Sequence, residues 1–514
     1  MDERIEHIIV LMMENRSFDH LLGYLDHPDP RFPNLDRIKP SCPVDPDHPE
    51  GRRVNTTPAA SYVLGNDPDH SHQAVMLQMF GREGTPGVET PGMTGFIKSY
   101  ARQIAQGTLR PLAWWERLGA TLIALFKRVW SWITRSPGPI LAKPDEIMKC
   151  FPDSEVPVLA FLAKQYALLT NWFASVPGET WPNRQYAHAG TSHGTTNIEI
   201  GFYTDDTVFQ RLSDADQTWD IYHDGVAQVW AYPKLWVSGV ERFHDMDRFF
   251  ADVERGTLPA YAFIEPNHGF GRGDGNSQHP GNNTIKGDSF LAGEALMARI
   301  YNALMANPTL FARTLLLITY DEHGGFFDHI PPNPVSDPDG IDDPDTGFDF
   351  RLTGVRVPAV AVSPLIAAGT LDDTFYDHAS IAATVRRRFA PATASLGRRE
   401  AEANVLLEHL PLLPEPRTDL PAFPRPEVSR AAEGAATDRQ LTDLQASLVE
   451  LAGAVRVARQ RVVMEATLRA GPPEVPPFVP DPTVQEAVAT GVLVPGSPAH
   501  QAVSEVVDDF AREG

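Results

Sequence analysis

A chain of 514 residues with 42% hydrophobic and 22% charged residues has the composition of a globular protein and is long enough for one very large core or two to three ordinary ones. Its formal net charge of −23 excludes general nucleic-acid binding, which is driven by clustered Lys and Arg. The two cysteines, Cys42 and Cys150, cannot make a disulfide framework and are expected as free thiols; the charged first residues lead directly into a strand without an export signal, so a cytoplasmic location is expected.

In chain order, apolar runs that suit buried strands fall at Ile8–Met13, Tyr166–Thr170, Tyr261–Ile264, Thr314–Thr319 and Val357–Val362, with a helical pattern over Ser289–Met305. Their alternation predicts an α/β sandwich with a largely parallel central sheet flanked by helices. Several runs end in polar residues: Glu14 and Asn15, Asn171, Glu265, Asp321 and Glu322. Ligands of open α/β sheets bind outside the carboxyl ends of the strands, so one site could collect all of these.

Between the strands, an amphipathic segment at 113–133 puts Trp115, Leu118, Leu122, Leu125, Val129 and Trp132 on one face and Arg117, Lys127 and Arg128 away from it. It reads first as a cover for the core and second as a lid or a peripheral membrane contact inserted near 111–140. No apolar run reaches the roughly 20 residues needed to span a bilayer. A catalytic domain is expected over 1–408, a proline-rich linker over 409–430 and a helical C-terminal extension over 431–514. There Leu441, Leu444, Leu448, Leu451 and Val455 mark a helix face that would dock on the main domain or on a second copy of the chain, and Pro472 to Pro482 reads as an extended strap.

Buried carboxylates are costly unless partnered, and a hard cation is a partner that adds no formal charge to the sequence. Glu14 with Asn15, and Asp321 with Glu322 ahead of Gly324 and Gly325, share one grammar of strand followed by oxygen ligand, which predicts a divalent metal site. Oxygen ligands suit Ca, Mg or Mn, and nearby histidines would admit Zn or Fe. Thr180 reads by itself as a helix N-cap before Pro182, and a hydroxyl at a helix N-terminus is also placed to meet an anionic phosphate. Histidines near glycine and proline punctuation, His70, His193 and His279, are candidates to contact a phosphoryl oxygen or protonate a leaving group.

The stretches ENRSFDH (14–20), DPDHSHQ (67–73), ETWPNR (179–184) with GTSHG (190–194), QHP (278–280), TYDEHGGFFDH (319–329) and YDHAS (376–380) resemble, in motif and in order, the phosphoesterase family that includes non-specific phospholipases C and a class of acid phosphatases. The resemblance covers residues 5–408 and implies an alkaline-phosphatase-like fold. It implies metal binding by Glu14, Asn15, Asp321 and Glu322, a nucleophile at Thr180, and phosphate contact or leaving-group protonation by His279 or His70. Asn183, Arg184, His193 and His323, within the same motifs, are expected to bind substrate. Two features depart from the pattern: Ser277 and Gln278 precede His279 where acidic residues are common, and Glu179 stands beside the proposed nucleophile. The implied chemistry is metal-assisted phosphoryl transfer through a covalent phosphothreonine on a phosphatidylcholine-type lipid. A phosphatase of soluble monoesters and a catalytically silent scaffold are the alternatives.

Overall fold

The computed structural model describes residues 2–62, 64, 66–84, 89–108, 142–269, 275–280, 290–421, 423, 439–440, 442–466, 478–480, 484–485 and 492–493. The 113–133 segment, Leu441 and most of Pro472 to Pro482 lie outside them. Among the described residues, no helix is long and apolar enough to cross a membrane. Cys42 and Cys150 are free thiols, both buried.

Eight strands make the main sheet: β1 (His7–Met13), β2 (Ala167–Leu169), β3 (Trp219–His223), β4 (Phe243–Asp245), β5 (Tyr261–Glu265), β6 (Thr314–Tyr320), β7 (Ala359–Val362) and β8 (Thr370–Asp372). Their spatial order is β8-β2-β7-β6-β1-β5-β3-β4. The sheet is parallel throughout except at β7, which runs antiparallel to both β6 and β2. Strand β1 lies at its centre, with Val10 opposite Phe263 on one side and Leu317 on the other.

Helices flank this sheet, and those that matter for the site are α1 (Phe18–Leu22), α2 (His72–Phe80), α3 (Pro157–Gln165), α4 (Thr180–Ala189), α5 (Phe290–Ala306), α6 (Ala379–Phe389) and α7 (Asp443–Ala466). Because both faces of β1, β5 and β6 are covered, almost every residue in them is buried, and the sequence shows continuous apolar runs rather than alternation. The expected strand at Val357–Val362 starts at Ala359, and the one at Tyr166–Thr170 shortens to Ala167–Leu169. Short edge strands β4 and β8 carry too few residues to give a periodic signal.

Helix α7 buries Leu444, Leu448, Leu451 and Val455 in the same hydrophobic core as the sheet. The described part of the proline-rich stretch, as far as Pro421, is fastened to the domain. Leu413 N donates to Leu365 O at 2.6 Å, Arg417 Nη1 to Gln165 O at 2.7 Å, and the Tyr301 hydroxyl to Pro421 O at 2.8 Å.

Candidate active site

Parallel neighbours β1, β5 and β6 end at the same edge of the sheet, so Glu14, Glu265 and Asp321 arrive side by side. Asn171 does not join them, because its amide donates to Asp373 O at 2.7 Å. The three carboxylates surround Arg184, which α4 delivers fully buried. Its Nε donates to Asp321 Oδ2 at 3.1 Å, Nη1 to Glu265 Oε1 at 2.7 Å, and Nη2 to Met12 O at 3.2 Å and Glu14 Oε1 at 3.4 Å. His268 lies between Glu14 and Glu265, with Nε2 2.7 Å from Glu265 Oε1 and Nδ1 2.8 Å from Glu14 Oε2, the latter an ion-pair contact without hydrogen-bond alignment. Burial alone would raise Glu265, but Arg184 and His268 outweigh it and hold the carboxyl below its usual range. Against the same burial, Glu14 and Glu265 push His268 up to about 9.

The two loops that leave β1 and β6 are locked together. Asp321 Oδ1 accepts from Asn15 N at 3.0 Å and from Glu322 N at 2.7 Å, Arg16 N donates to Glu322 O at 3.0 Å, and Gly324 N donates to Glu322 Oε2 at 2.7 Å. Gly324 has φ of +62°, and a Cβ there would meet Asn15 O at 2.1 Å, so only glycine permits the approach. Asn15 is itself left-handed at φ of +56°, a conformation asparagine tolerates better than most residues. Behind Asp321, the buried His378 donates from Nε2 to its carbonyl at 2.6 Å while Nδ1 accepts from Trp172 Nε1 at 3.2 Å. Burial drives His378 down to about 4, which fixes it as this neutral tautomer.

Thr180 is the first residue of α4, and Glu179 is the N-cap; the isolated reading of Thr180 as N-cap is therefore off by one position. Its fully buried hydroxyl faces Asn15 Oδ1 at 3.5 Å. Asn15 Nδ2 in turn lies 3.4 Å from His70 Nε2, and the rings of His70 and His279 meet edge to face with centroids 5.9 Å apart. Thr180, Asn15, His70 and His279 thus form one contiguous group. Burial opposes a charge on His70, but Glu322, Asp67 and Glu179 together raise it to about 10, whereas burial, with His70 and Arg16 nearby, keeps His279 neutral. Asp67 lies 3.9 Å from His279 Nδ1 and is pushed up to about 7, chiefly by burial.

Other expected site residues have scaffold positions. Asn183 holds the loop before α4, its Oδ1 accepting from Val176 N at 3.0 Å and its Nδ2 donating to the carbonyls of Val176, Gly178 and Glu179 at 3.0–3.2 Å. Arg184 spends its guanidinium on carboxylates. His323 is buried against Gln78 Oε1 at 2.7 Å and Glu322 Oε2 at 3.3 Å. His193 is exposed, 3.3 Å from Asp205, and does not come together with the group around Thr180. Glu179, a suspected source of extra charge beside the nucleophile, turns its Oε2 onto Ile198 N. Sequence reasoning missed His268, whose signal is its spacing of three from the strand-terminal Glu265. It also missed the ionic cluster of Asp19, Asp328, His329 and Arg356.

Fit to a divalent cation can be judged from the oxygens the protein leaves uncommitted. Buried Glu322 Oε1 has no hydrogen-bond partner among the described residues, and Asn15 Oδ1 and Thr180 Oγ1 face each other at a distance too long for a strong bond. Glu14 and Asp321 end neighbouring strands at the same edge and add carboxylate oxygens, a donor chemistry that suits a hard cation, although among the described residues Glu14, Asp321 and Glu322 do not bring their ligand atoms within 4.8 Å of one another as a set. Asp19, Asp328 and His329 do bring ligand atoms that close. Their space is taken, however: Arg356 Nη2 lies 2.8 Å from Asp19 Oδ1, and Nε lies 3.2 Å from both oxygens of Asp328.

The profile of the Phosphoesterase family matches residues 5–390. The chain belongs to this family. Among relatives, this phosphoesterase is 31% identical over 467 residues to non-specific phospholipase C1 of Arabidopsis thaliana, covering 87% of this chain and 79% of the relative. It is 32% identical over 469 residues to non-specific phospholipase C6 of the same plant, covering 87% and 80%. Hemolytic phospholipase C of Pseudomonas aeruginosa is 24% identical over 445 residues, covering 75% of this chain and 53% of that protein. A solved alkaline phosphatase superfamily protein from Vibrio parahaemolyticus matches 49% of this chain and 65% of its own at 14% identity, with a TM-score of 0.31, too slight a likeness to argue from. This phosphoesterase is a hydrolase of phosphoester bonds.

Proposed function

We propose that this phosphoesterase is a metal-dependent phospholipase C that cleaves phosphatidylcholine-type lipids through a covalent intermediate on Thr180. The observation that carries the mechanism is the buried Thr180 hydroxyl at the first residue of α4, facing Asn15, with His70 and His279 beyond the same asparagine. The lipid substrate is supported by the relatives, which are phospholipases C by name. Glu14, Asn15, Asp321 and Glu322 would hold the divalent ion, which supplies Lewis acidity and neutralises phosphoryl charge.

The first helical turn of α4 favours an anionic group in front of Thr180. Thr180 Oγ1 gives up its proton to solvent as it bonds to phosphorus, the bond from phosphorus to the diacylglycerol oxygen breaks, and that oxygen takes a proton from the His70/His279 pair. Water then hydrolyses the phosphothreonine and releases the phosphorylated head group. Arg184 and His268 hold the side chains of Glu14 and Asp321 in place, so that a cation would find oxygens already oriented.

The test is hydrolysis of phosphatidylcholine in mixed micelles against a soluble phosphomonoester, before and after chelation and with metal restored, for the wild type and Thr180→Ala. The expected result is metal-dependent release of phosphocholine that Thr180→Ala abolishes while retaining its metal. Release of phosphate from the monoester alone would make the protein a phosphatase, and near-normal turnover by Thr180→Ala would sink the covalent scheme.

A further inference from the structure

Gln278 immediately precedes His279, and its backbone takes φ of +68°, a left-handed conformation that residues with a side chain rarely adopt. Such strain persists only where the surroundings over-determine it. Here Gln278 Oε1 accepts from the Tyr320 hydroxyl at the end of β6, Nε2 donates to Phe290 O at 3.1 Å and Glu294 Oε1 at 3.4 Å on α5, and the carbonyl accepts from Arg16 Nε at 2.9 Å. Glu294 is fixed in turn by Val158 N at 2.6 Å and Leu159 N at 3.3 Å, at the start of α3. The side chain lies in a groove opened by Gly293, where a Cβ would meet Gln278 Cγ at 2.4 Å. Glycine inside a helix is unfavourable, so its presence in α5 has a packing reason, and Gln278 supplies it.

We propose that Gln278 is a positioning residue for His279: its amide, clamped between Tyr320, Phe290 and Glu294, holds the left-handed backbone that sets the His279 imidazole edge-on to His70. The proposal rests on the reading of the His70/His279 pair as proton donor to the leaving alcohol. In that step the bond from phosphorus to the leaving oxygen breaks with its electron pair on oxygen, and the imidazole pair supplies the proton that neutralises it. An alkoxide needs that proton, whereas p-nitrophenolate leaves near neutral pH without it. A carboxylate in place of the amide would face Phe290 O and Glu294 with no proton to offer, which gives the departure at this position a physical reason.

The experiment compares kcat on p-nitrophenyl phosphocholine and on an alkyl phosphocholine of similar size for the wild type, His279→Ala, Gln278→Gly and Gly293→Ala. Gln278→Gly keeps the left-handed backbone accessible but removes the clamp. Gly293→Ala displaces the Gln278 side chain without replacing it. His279→Ala is expected to lose roughly a hundredfold or more on the alkyl ester and far less on the nitrophenyl ester. Gln278→Gly and Gly293→Ala are expected to lose about tenfold with the same selectivity for the alkyl ester. Equal losses on both esters, or wild-type rates, in these two variants would overturn the proposal while leaving the role of His279 intact. Equal losses on both esters in His279→Ala would remove the donor reading itself, and the positioning role with it.

Discussion

Replacing Arg184 by methionine is the sharpest test of how the carboxyl edge of the sheet is held together. The guanidinium is fully buried and sits within 3.4 Å of oxygens from Glu14, Glu265 and Asp321. Removing one partner of a buried ion pair leaves uncompensated charge and costs about 3–5 kcal/mol, far more than an exposed pair is worth. At roughly 2.1 cal/mol/K of unfolding entropy per residue, that loss lowers the melting temperature of a 514-residue chain by about 3–5 °C. Its pH dependence follows from the carboxylates left behind. Burial already raises Asp321, with Glu14 and Glu322 adding to it against the pull of Arg184, and in the variant, without that pull, Asp321 would bind its proton still more tightly than in the unfolded chain. A carboxyl raised on folding destabilises above its unfolded pKa, and the penalty is relieved as pH falls through the raised value. The deficit of Arg184→Met should therefore be largest above neutral pH and shrink towards pH 5, measured by thermal unfolding of chelated protein. Adding Glu265→Gln removes one of the opposed charges and should recover part of the loss. A deficit independent of pH, or a double variant less stable than Arg184→Met, would refute the electrostatic account.

Asn183→Ala removes an amide that bonds both the N–H and the carbonyl of Val176 and the carbonyls of Gly178 and Glu179, and should cost about 2–3 kcal/mol in chemical denaturation, with turnover falling as the loop before Thr180 loosens. Gly324→Ala forces a Cβ against Asn15 O and should lower kcat about a hundredfold through a misplaced Asn15, while far-ultraviolet circular dichroism stays that of the wild type. Arg356→Met should destabilise the protein by about 3–5 kcal/mol by stranding Asp19 and Asp328, without changing the metal content measured by mass spectrometry. A drop in bound metal in that variant would instead make Asp19, Asp328 and His329 ligands.

What could be foreseen from sequence follows the range over which the physics acts. Strands β1, β5 and β6 announce themselves because a strand covered on both faces must be apolar at every position, and a polar residue closing such a run stands out. Glu14, Asn15, Asp321 and Glu322 were legible for that reason, and the structure gathers them at one edge. Arg184 and Asn183 were recognisable as motif members, but their jobs were not, because the partners that occupy their donors lie elsewhere in the fold. Glu14 is 170 positions from Arg184, and Asp321 is 137. The three-residue β4 and β8 give no period, and the antiparallel direction of β7 was not foreseeable, because a short apolar run carries no information about which way it crosses the sheet.

The same limit applies to the C-terminal helix, whose amphipathic face was evident but whose destination was not. Its buried Gln445 donates from Nε2 to the carbonyl of His268 at 3.0 Å while Oε1 accepts from Thr442 N at 3.2 Å. Gly269, at φ of +91°, allows the approach, since a Cβ there would stand 3.0 Å from Gln445 Nε2. His268 is the residue that bridges Glu14 and Glu265, so a helix that follows the region matched by the family is bonded to the backbone of the site's ionic cluster. Leu444, Leu448, Leu451 and Val455 bury the adjoining face in the main core, which ties that bond to the packing of the sheet. Loosening α7 is therefore expected to disturb the backbone of His268 and, through its ring, Glu14.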